Sequence, residues 1–253
     1  TQHHYPDTIQ LGDVTKWKEW DIDWKNIDMV LSGSPCQDLS IAGKRKGLEG
    51  ERSGLFFVFV DILNHIKELN PKVLFLQENV GSAPKKDVGI MSRALGVYPV
   101  RINSSLVTAQ LRDRYYWSNI RTAPDGLFGD IITDIPEPKD RKIILRDILT
   151  EGNVDRDKHT CLTEHYQKAF HFGERDSKKW QDYAKKRVQN TGTTTLIEKD
   201  GLRVRIVNKV EMCRLQGFPD DWCDILADVE AGSLLGDGWT LPIIEHIFGY
   251  ING

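Results

Sequence analysis

Between Ile27 and Asn79 the chain reads as strand, helix, strand, and that order constrains the fold more than any other feature. Ile27-Asp28-Met29-Val30-Leu31-Ser32 is a short apolar run that breaks at once into a Gly/Ser/Pro loop. From Ser53 to Asn70, Leu55, Phe59, Ile62, Ile66 and Leu69 recur at three- and four-residue steps, and Pro71 closes the segment. That stripe predicts an amphipathic helix. Lys72-Val73-Leu74-Phe75-Leu76 is a second apolar strand, running into Gln77-Glu78-Asn79. A helical crossover of this length joins parallel strands, so the expected class is α/β with a parallel sheet. Ligands in such sheets gather beyond the carboxyl ends of the strands. Cys36 and Glu78 both follow strands of this kind, so a thiol and a carboxylate are expected at one edge.

Length and composition narrow the class further. With 253 residues, 40% of them hydrophobic and 28% charged, the chain can bury one large core or a core plus a small insert. Mean hydropathy is −0.43, and no apolar run reaches the roughly 18–20 residues of a membrane helix. Thr1-Gln2-His3-His4 lacks the pattern of a signal peptide, so a cytoplasmic location and no membrane partner are expected. The absence of an initiator Met predicts a chain that begins part-way into a gene product. The net charge of −3 argues against a protein that simply coats nucleic acid. The charge is unevenly spread: Lys139–Arg205 holds 16 basic and 11 acidic residues, against 18 and 26 elsewhere. A local polyanion site is therefore permitted. Cys36, Cys161, Cys213 and Cys223 have no paired spacing, which points to reduced thiols and gives no hint of a metal.

Near Thr122 the character changes. Pro124, Pro136 and Pro138 predict a connection out of the sheet domain, and 139–202 reads as a polar insert with a Thr191-Gly192-Thr193-Thr194-Thr195 loop. Helical patterning returns at Asn208, where Asn208 and Glu211 form a capping box and Gly217 with Pro219 ends the helix. A last helix is expected to start near Pro242. The predicted divisions are 1–138, 139–205 and 206–253.

Four short segments have the residue types that chemistry needs. In Ser34-Pro35-Cys36-Gln37-Asp38-Leu39-Ser40, Cys36 is either a nucleophile in a small-residue loop or a structural thiol. In Gln77-Glu78-Asn79-Val80, Glu78 is either a partly desolvated proton-holding group or a salt-bridged one. In Gln110-Leu111-Arg112-Asp113-Arg114, the arginines fall on one side of an extended segment, as anion or heterocycle ligands or as surface ion pairs. In Leu11-Gly12-Asp13-Val14, Asp13 at a strand end either accepts bonds from a ribose or an amine, or makes a turn.

In this order the segments resemble the DNA cytosine-5 methyltransferase family. Pro35-Cys36-Gln37 looks like its nucleophile loop, Glu78-Asn79-Val80 like its E-N-V element, and Gln110-x-Arg112-x-Arg114 like its Q-x-R-x-R element. Arg203–Pro219 resembles the segment that follows the target recognition domain, and Gly236-Asp237-Gly238-Trp239 with Pro242–Phe248 the last motif. Gly12-Asp13-Val14 and Trp239 are closest to de novo-type, phage and bacterial members. The resemblance implies a Rossmann-like methyltransferase sheet, incomplete at the amino end, with a target recognition domain at 139–205. It implies S-adenosyl-L-methionine as cofactor and double-stranded DNA as partner. Cys36 would be the nucleophile, with Glu78, Arg114 and Arg112 on the cytosine ring. Asp13, Val14, Pro35, Leu55 and Trp239 would line the cofactor pocket, and Gln37, Ser40, Asn79, Val80 and Gln110 would serve the substrate. Cellular DNA, in a bacterium or phage-infected cell, places such an enzyme at the nucleoid.

One departure counts against a complete enzyme. The glycine-rich strand–loop that opens the family does not precede Leu11, and Phe172-Gly173 is no substitute. The chain is expected to be a fragment, one half of a split enzyme needing an amino-terminal partner, or an incomplete gene product. The rival readings are a non-catalytic DNA-binding or regulatory module, an RNA cytosine methyltransferase, and, last, a thiol hydrolase.

Overall fold

The computed structural model describes residues 1–34, 54–126, 129–164, 166, 177–191, 196–198 and 203–251. The chain divides into two compact units, Thr1–Arg101 with Arg114–Ile135, and Ile102–Asp113 with Pro136–Gly253.

The first unit is built on the predicted strand–helix–strand. β1 (Met29–Gly33) and β2 (Leu74–Val80) are parallel, in register from Met29–Leu74 to Gly33–Glu78. Between them α1 (Leu55–Leu69) turns Phe56, Phe59, Ile62, Leu63 and Ile66 into the core. β2 is buried at nearly every position, as a strand covered on both faces must be. It continues through Val80, so Glu78 lies within the strand and not after it. α2 (Lys85–Leu95) adds Met91 and Leu95 to the same core and ends on Gly96 in the left-handed conformation. β3 (Val100–Asn103) and β4 (Asp113–Ser118) complete a four-stranded sheet of order β1-β2-β4-β3. β4 runs antiparallel to β2, pairing Leu76 with Ser118 and Val80 with Arg114. The sheet is thus mixed, not parallel throughout. The stretch expected to leave the sheet domain near Thr122 instead forms a hairpin, β5 (Thr122–Asp125) with β6 (Asp130–Thr133). Pro124 is accommodated because this ribbon has only two strands, which leaves it an edge where no N–H is demanded.

The second unit contains α3 (Leu145–Ile148), α4 (Lys178–Thr191), a short pair β7 (Ile197–Glu198) and β8 (Val204–Arg205), then α5 (Lys209–Gln216), α6 (Asp228–Asp237) and α7 (Leu241–Phe248). Asn208 Oδ1 accepts from Glu211 N at 2.9 Å, and Glu211 Oε2 accepts from Asn208 N at 2.9 Å. The predicted capping box is therefore closed in both directions. Gly217 ends α5 with φ 81°, and a Cβ there would overlap the Pro242 ring at the start of α7. Trp180 and Ala184 of α4 pack with Met212, Cys213 and Leu215 of α5 and Leu235 of α6 in this unit's core. Among the described residues no helix is long and apolar enough to cross a membrane.

Candidate active site

The carboxyl end of β2 concentrates polar side chains in a buried sheet. Successive strand residues point to opposite faces, so Gln77 and Asn79 share one side, and Glu78 takes the other. On the first side both carboxamides converge on Ser34, the residue just after β1. Gln77 Nε2 donates to Ser34 Oγ at 2.9 Å, and Asn79 Nδ2 donates to the same oxygen at 3.0 Å. Asn79 Oδ1 in turn accepts from Val80 N at 2.8 Å. Gln77 Oε1 is buried and has no hydrogen-bond partner among the described residues. On the other side, Arg114 Nε on β4 lies 2.7 Å from Glu78 Oε1, with side-chain exposures of 13% and 11%. An ion pair this sheltered from water is strong enough to fix the orientation of both groups.

Cys36, Pro35, Gln37 and Ser40 lie outside the described residues, as does Phe172-Gly173.

The Gln110–Arg114 element divides. Arg112 does not share a side with Arg114. It lies before β4 and is 3% exposed. Its guanidinium donates to the carbonyl oxygens of Leu162 (3.0 Å), Gly236 (3.2 Å) and Gly238 (2.7 Å) inside the second unit. Gln110 is fully buried in the same unit, with Nε2 donating to Leu215 O at 2.6 Å and Gln216 Oε1 at 2.9 Å. The two arginines part because the backbone becomes a strand only at Asp113.

Asp13 is not at a strand end. It caps a 3-10 turn, Val14–Glu19, and Oδ1 accepts from Thr15 N at 2.9 Å and Thr15 Oγ1 at 2.8 Å. The bond from the Thr15 amide, then that from its hydroxyl, holds the Asp13 carboxyl below its usual range. Val14 and Leu55 are half-buried in the first unit, and Trp239 is half-buried in the second.

Ser34 and Gln77 were not singled out from sequence. The available signal was a pair of carboxamides two residues apart in an otherwise apolar strand. Glu211, expected only as a capping-box residue, is also fully buried, and its carboxylate accepts from Arg205 Nη1 and Nη2, both at 2.7 Å, and from Thr150 N at 2.8 Å. Burial works to raise its pKa, but the bonds from Arg205, Thr150 and Asn208 outweigh burial and leave it lowered. This network joins β8 to α5 and is structural.

Among the described residues the site therefore offers a sheltered, fixed carboxylate–guanidinium pair on one side of β2 and two carboxamides held on Ser34 on the other. The chain is 30% identical over 261 residues to the Type II methyltransferase M1.ScrFI of Lactococcus lactis subsp. cremoris, covering 93% of this chain and 64% of that protein. It is 29% identical over 262 residues to the Type II methyltransferase M.SsoII of Shigella sonnei, covering 93% of this chain and 66% of that one. The chain thus spans just under two thirds of the length of either relative. Among solved structures, the Entamoeba histolytica methyltransferase EhMeth superposes with a TM-score of 0.64 at 17% identity, over 99% of this chain and 84% of that one, a likeness of fold. The family model for C-5 cytosine-specific DNA methylases matches residues 2–253, and the chain belongs to that family.

Proposed function

We propose that this chain takes part in methyl transfer from S-adenosyl-L-methionine to C5 of cytosine in double-stranded DNA. The observation that carries the reading is the Glu78–Arg114 ion pair, on a strand whose Glu78 is in register with Gly33, three residues before Cys36. Cytosine C5 is a weak nucleophile. Addition of the Cys36 thiolate to C6 gives C5 enamine character. Glu78, aimed by Arg114, accepts from the exocyclic amine and donates a proton to N3, where negative charge develops as the thiolate adds, and Arg114 donates to the O2 side. With the methyl group on C5, the C5 proton passes to water acting as base, the C5–C6 double bond re-forms, and the C6–S bond breaks to release the Cys36 thiolate. The target base has to leave the duplex for any of these groups to reach it.

The cofactor supplies the electrophilic methyl group. The residues fit it in one checkable respect: both bonds from Thr15 use Asp13 Oδ1, which leaves Oδ2 as an acceptor for an adenine amine. Val14, Pro35, Leu55 and Trp239 would supply its apolar walls, and Gln37, Ser40, Asn79 and Val80 the substrate side. Residues 1–138 and 206–253 are assigned to catalysis and 139–205 to target recognition. In that segment α4 turns Trp180 and Ala184 inward and leaves Lys178, Lys179, Lys185 and Lys186 exposed, a face suited to phosphates. Such an enzyme works where DNA is accessible, in the cytoplasm at the nucleoid.

The test is covalent trapping on duplexes containing 5-fluorocytosine, read by intact mass with and without the cofactor. The fluorine blocks the final elimination, so turnover leaves the protein attached. A cofactor-dependent adduct on Cys36 is the expected result. An adduct that forms only with an added amino-terminal polypeptide would identify a split enzyme, and one only on RNA would move the substrate. No adduct under any of these conditions would sink the transferase reading in favour of a DNA-binding module.

A further inference from the structure

The Gly236–Thr240 turn receives more buried hydrogen bonds than a helix end requires. Arg112 Nη1 and Nη2 both donate to Gly236 O at 3.2 Å, and Nη2 donates to Gly238 O at 2.7 Å. Gln216 Nε2 donates to Leu235 O, and to Gly238 O at 3.4 Å. Gln216 Oε1 accepts from Gln110 Nε2 at 2.9 Å and from Thr240 Oγ1 at 3.0 Å, and Ser104 Oγ donates to Thr240 Oγ1 at 2.8 Å. These side chains are at most 3% exposed. Gly236 also lies against the Thr163 carbonyl, which a Cβ there would overlap.

Arg112 is a buried cation with no carboxylate partner among the described residues. The carbonyls that hold it include the carboxyl end of α6, where the helix dipole is negative. A planar guanidinium with five donors binds several carbonyls at fixed angles, which an ammonium cannot do. The bonds fix the backbone on both sides of Trp239, through Gly238 O and the Thr240 hydroxyl. Trp239 itself stays half-buried.

We propose that Gln110, Arg112 and Gln216 are positioning residues. They lock the Gly236–Thr240 turn so that the Trp239 indole is presented in one orientation to the cofactor. Arg112 then contacts no part of the cytosine, and the Q-x-R-x-R element serves two purposes: Arg114 orients Glu78, while Gln110 and Arg112 frame Trp239. The cofactor role of Trp239 rests on the transferase reading, and the frame itself does not.

The test compares the full chain with Arg112→Met, Arg112→Lys and the milder Thr240→Val. Hydrogen exchange of peptides covering Gly236–Thr240 is measured without ligand, and S-adenosylmethionine affinity by calorimetry. For Arg112→Met, exchange in the turn is expected to rise about tenfold with the β1 and β2 peptides unchanged, and the cofactor Kd to rise about tenfold, or about 1.4 kcal/mol. Arg112→Lys is expected to recover part of both, and Thr240→Val to show smaller shifts in the same directions. Unchanged exchange in the turn would overturn the proposal. So would an equal rise throughout the chain, or a loosened turn with unaltered cofactor affinity. Should the unaltered chain bind no cofactor, the transferase reading fails for this chain, and the exchange rates alone decide the frame.

Discussion

Arg114 on β4 reaches across to Glu78 on β2 with a 2.7 Å contact while both side chains remain about one-tenth exposed. The pair gives the Glu78 carboxylate a fixed aim. Glu78→Gln keeps the shape and an acceptor for Arg114 but removes the charge. It is expected to lower turnover by roughly two orders of magnitude, the scale of losing one aimed electrostatic group. Arg114→Met leaves the carboxylate sheltered and unpaired and is expected to cost about 3 kcal/mol in urea unfolding. A stable Arg114→Met protein would show that the pair is not holding Glu78.

Cys36→Ala removes the only group in the proposed cycle that bonds to the base. Turnover and 5-fluorocytosine trapping are expected to vanish. Duplex affinity should change less than about threefold, because most of it comes from phosphate contacts elsewhere. Methylation by the variant at a measurable fraction of the original rate would assign the nucleophile to another residue.

The strand–helix–strand frame was legible in the sequence because apolar periodicity reports burial directly. Phe59, Ile62 and Ile66 of the predicted stripe are core residues of α1, whereas Leu55 is half-buried and Leu69, at the helix end, is exposed; the Asn208–Glu211 box and the Gly217 stop appear where residue chemistry places them. The division of the Gln110–Arg114 element was not legible. Local spacing says which side of a strand a residue takes only where the backbone is a strand, and Arg112 sits before one. The Thr122–Thr133 hairpin was missed because Pro124 and the glycines read as a linker. Gly126, with φ 68°, is a turn residue of that hairpin. The anchoring of Ser34 by Gln77 and Asn79 depends on β1–β2 pairing between residues more than forty positions apart, which no local pattern encodes.

The exposed lysines of α4 give a salt-dependent prediction. Each phosphate contact releases counterions and contributes about −0.9 to the slope of log affinity against log salt. Replacing Lys178, Lys179, Lys185 and Lys186 by Gln is expected to flatten the slope for duplex binding by about two to four units, without altering the preferred sequence. A slope unchanged within error would remove α4 from the DNA interface.

Glu211 is fully buried and satisfied by Arg205, Thr150 and Asn208. Arg205→Met would strand that carboxylate and is expected to destabilise the fold by about 3–5 kcal/mol. Glu211→Gln keeps the acceptor for Arg205 and should cost less. Equal losses from the two substitutions would show that the charge of Glu211 has no bearing on the network.

His159 supplies the clearest pH dependence. It is fully buried, and its Nδ1 contacts Thr160 O while its Nε2 lies 3.2 Å from the Tyr166 hydroxyl. Tyr166 also accepts from Val207 N at 3.3 Å. The consistent tautomer has Nδ1–H donating to Thr160 and the Tyr166 hydroxyl donating to a neutral Nε2. Burial pushes the imidazole pKa down from 6.5 to about 4. The unfolded chain therefore takes up this proton first as the pH falls. The stabilisation is complete above pH 6.5 and is lost as the pH drops toward 4, at about 1.4 kcal/mol per pH unit and about 3 kcal/mol in all. Carboxylates titrate near the lower end of that window, so the measurement is the difference in urea-unfolding stability between the unaltered chain and His159→Gln at pH 7.5, 6, 5 and 4.5. The unaltered chain is expected to lose its advantage steadily below pH 6.5. An advantage that stays constant with pH would mean that His159 titrates alike in the folded and unfolded states, and the neutral hydrogen-bonded tautomer would be wrong.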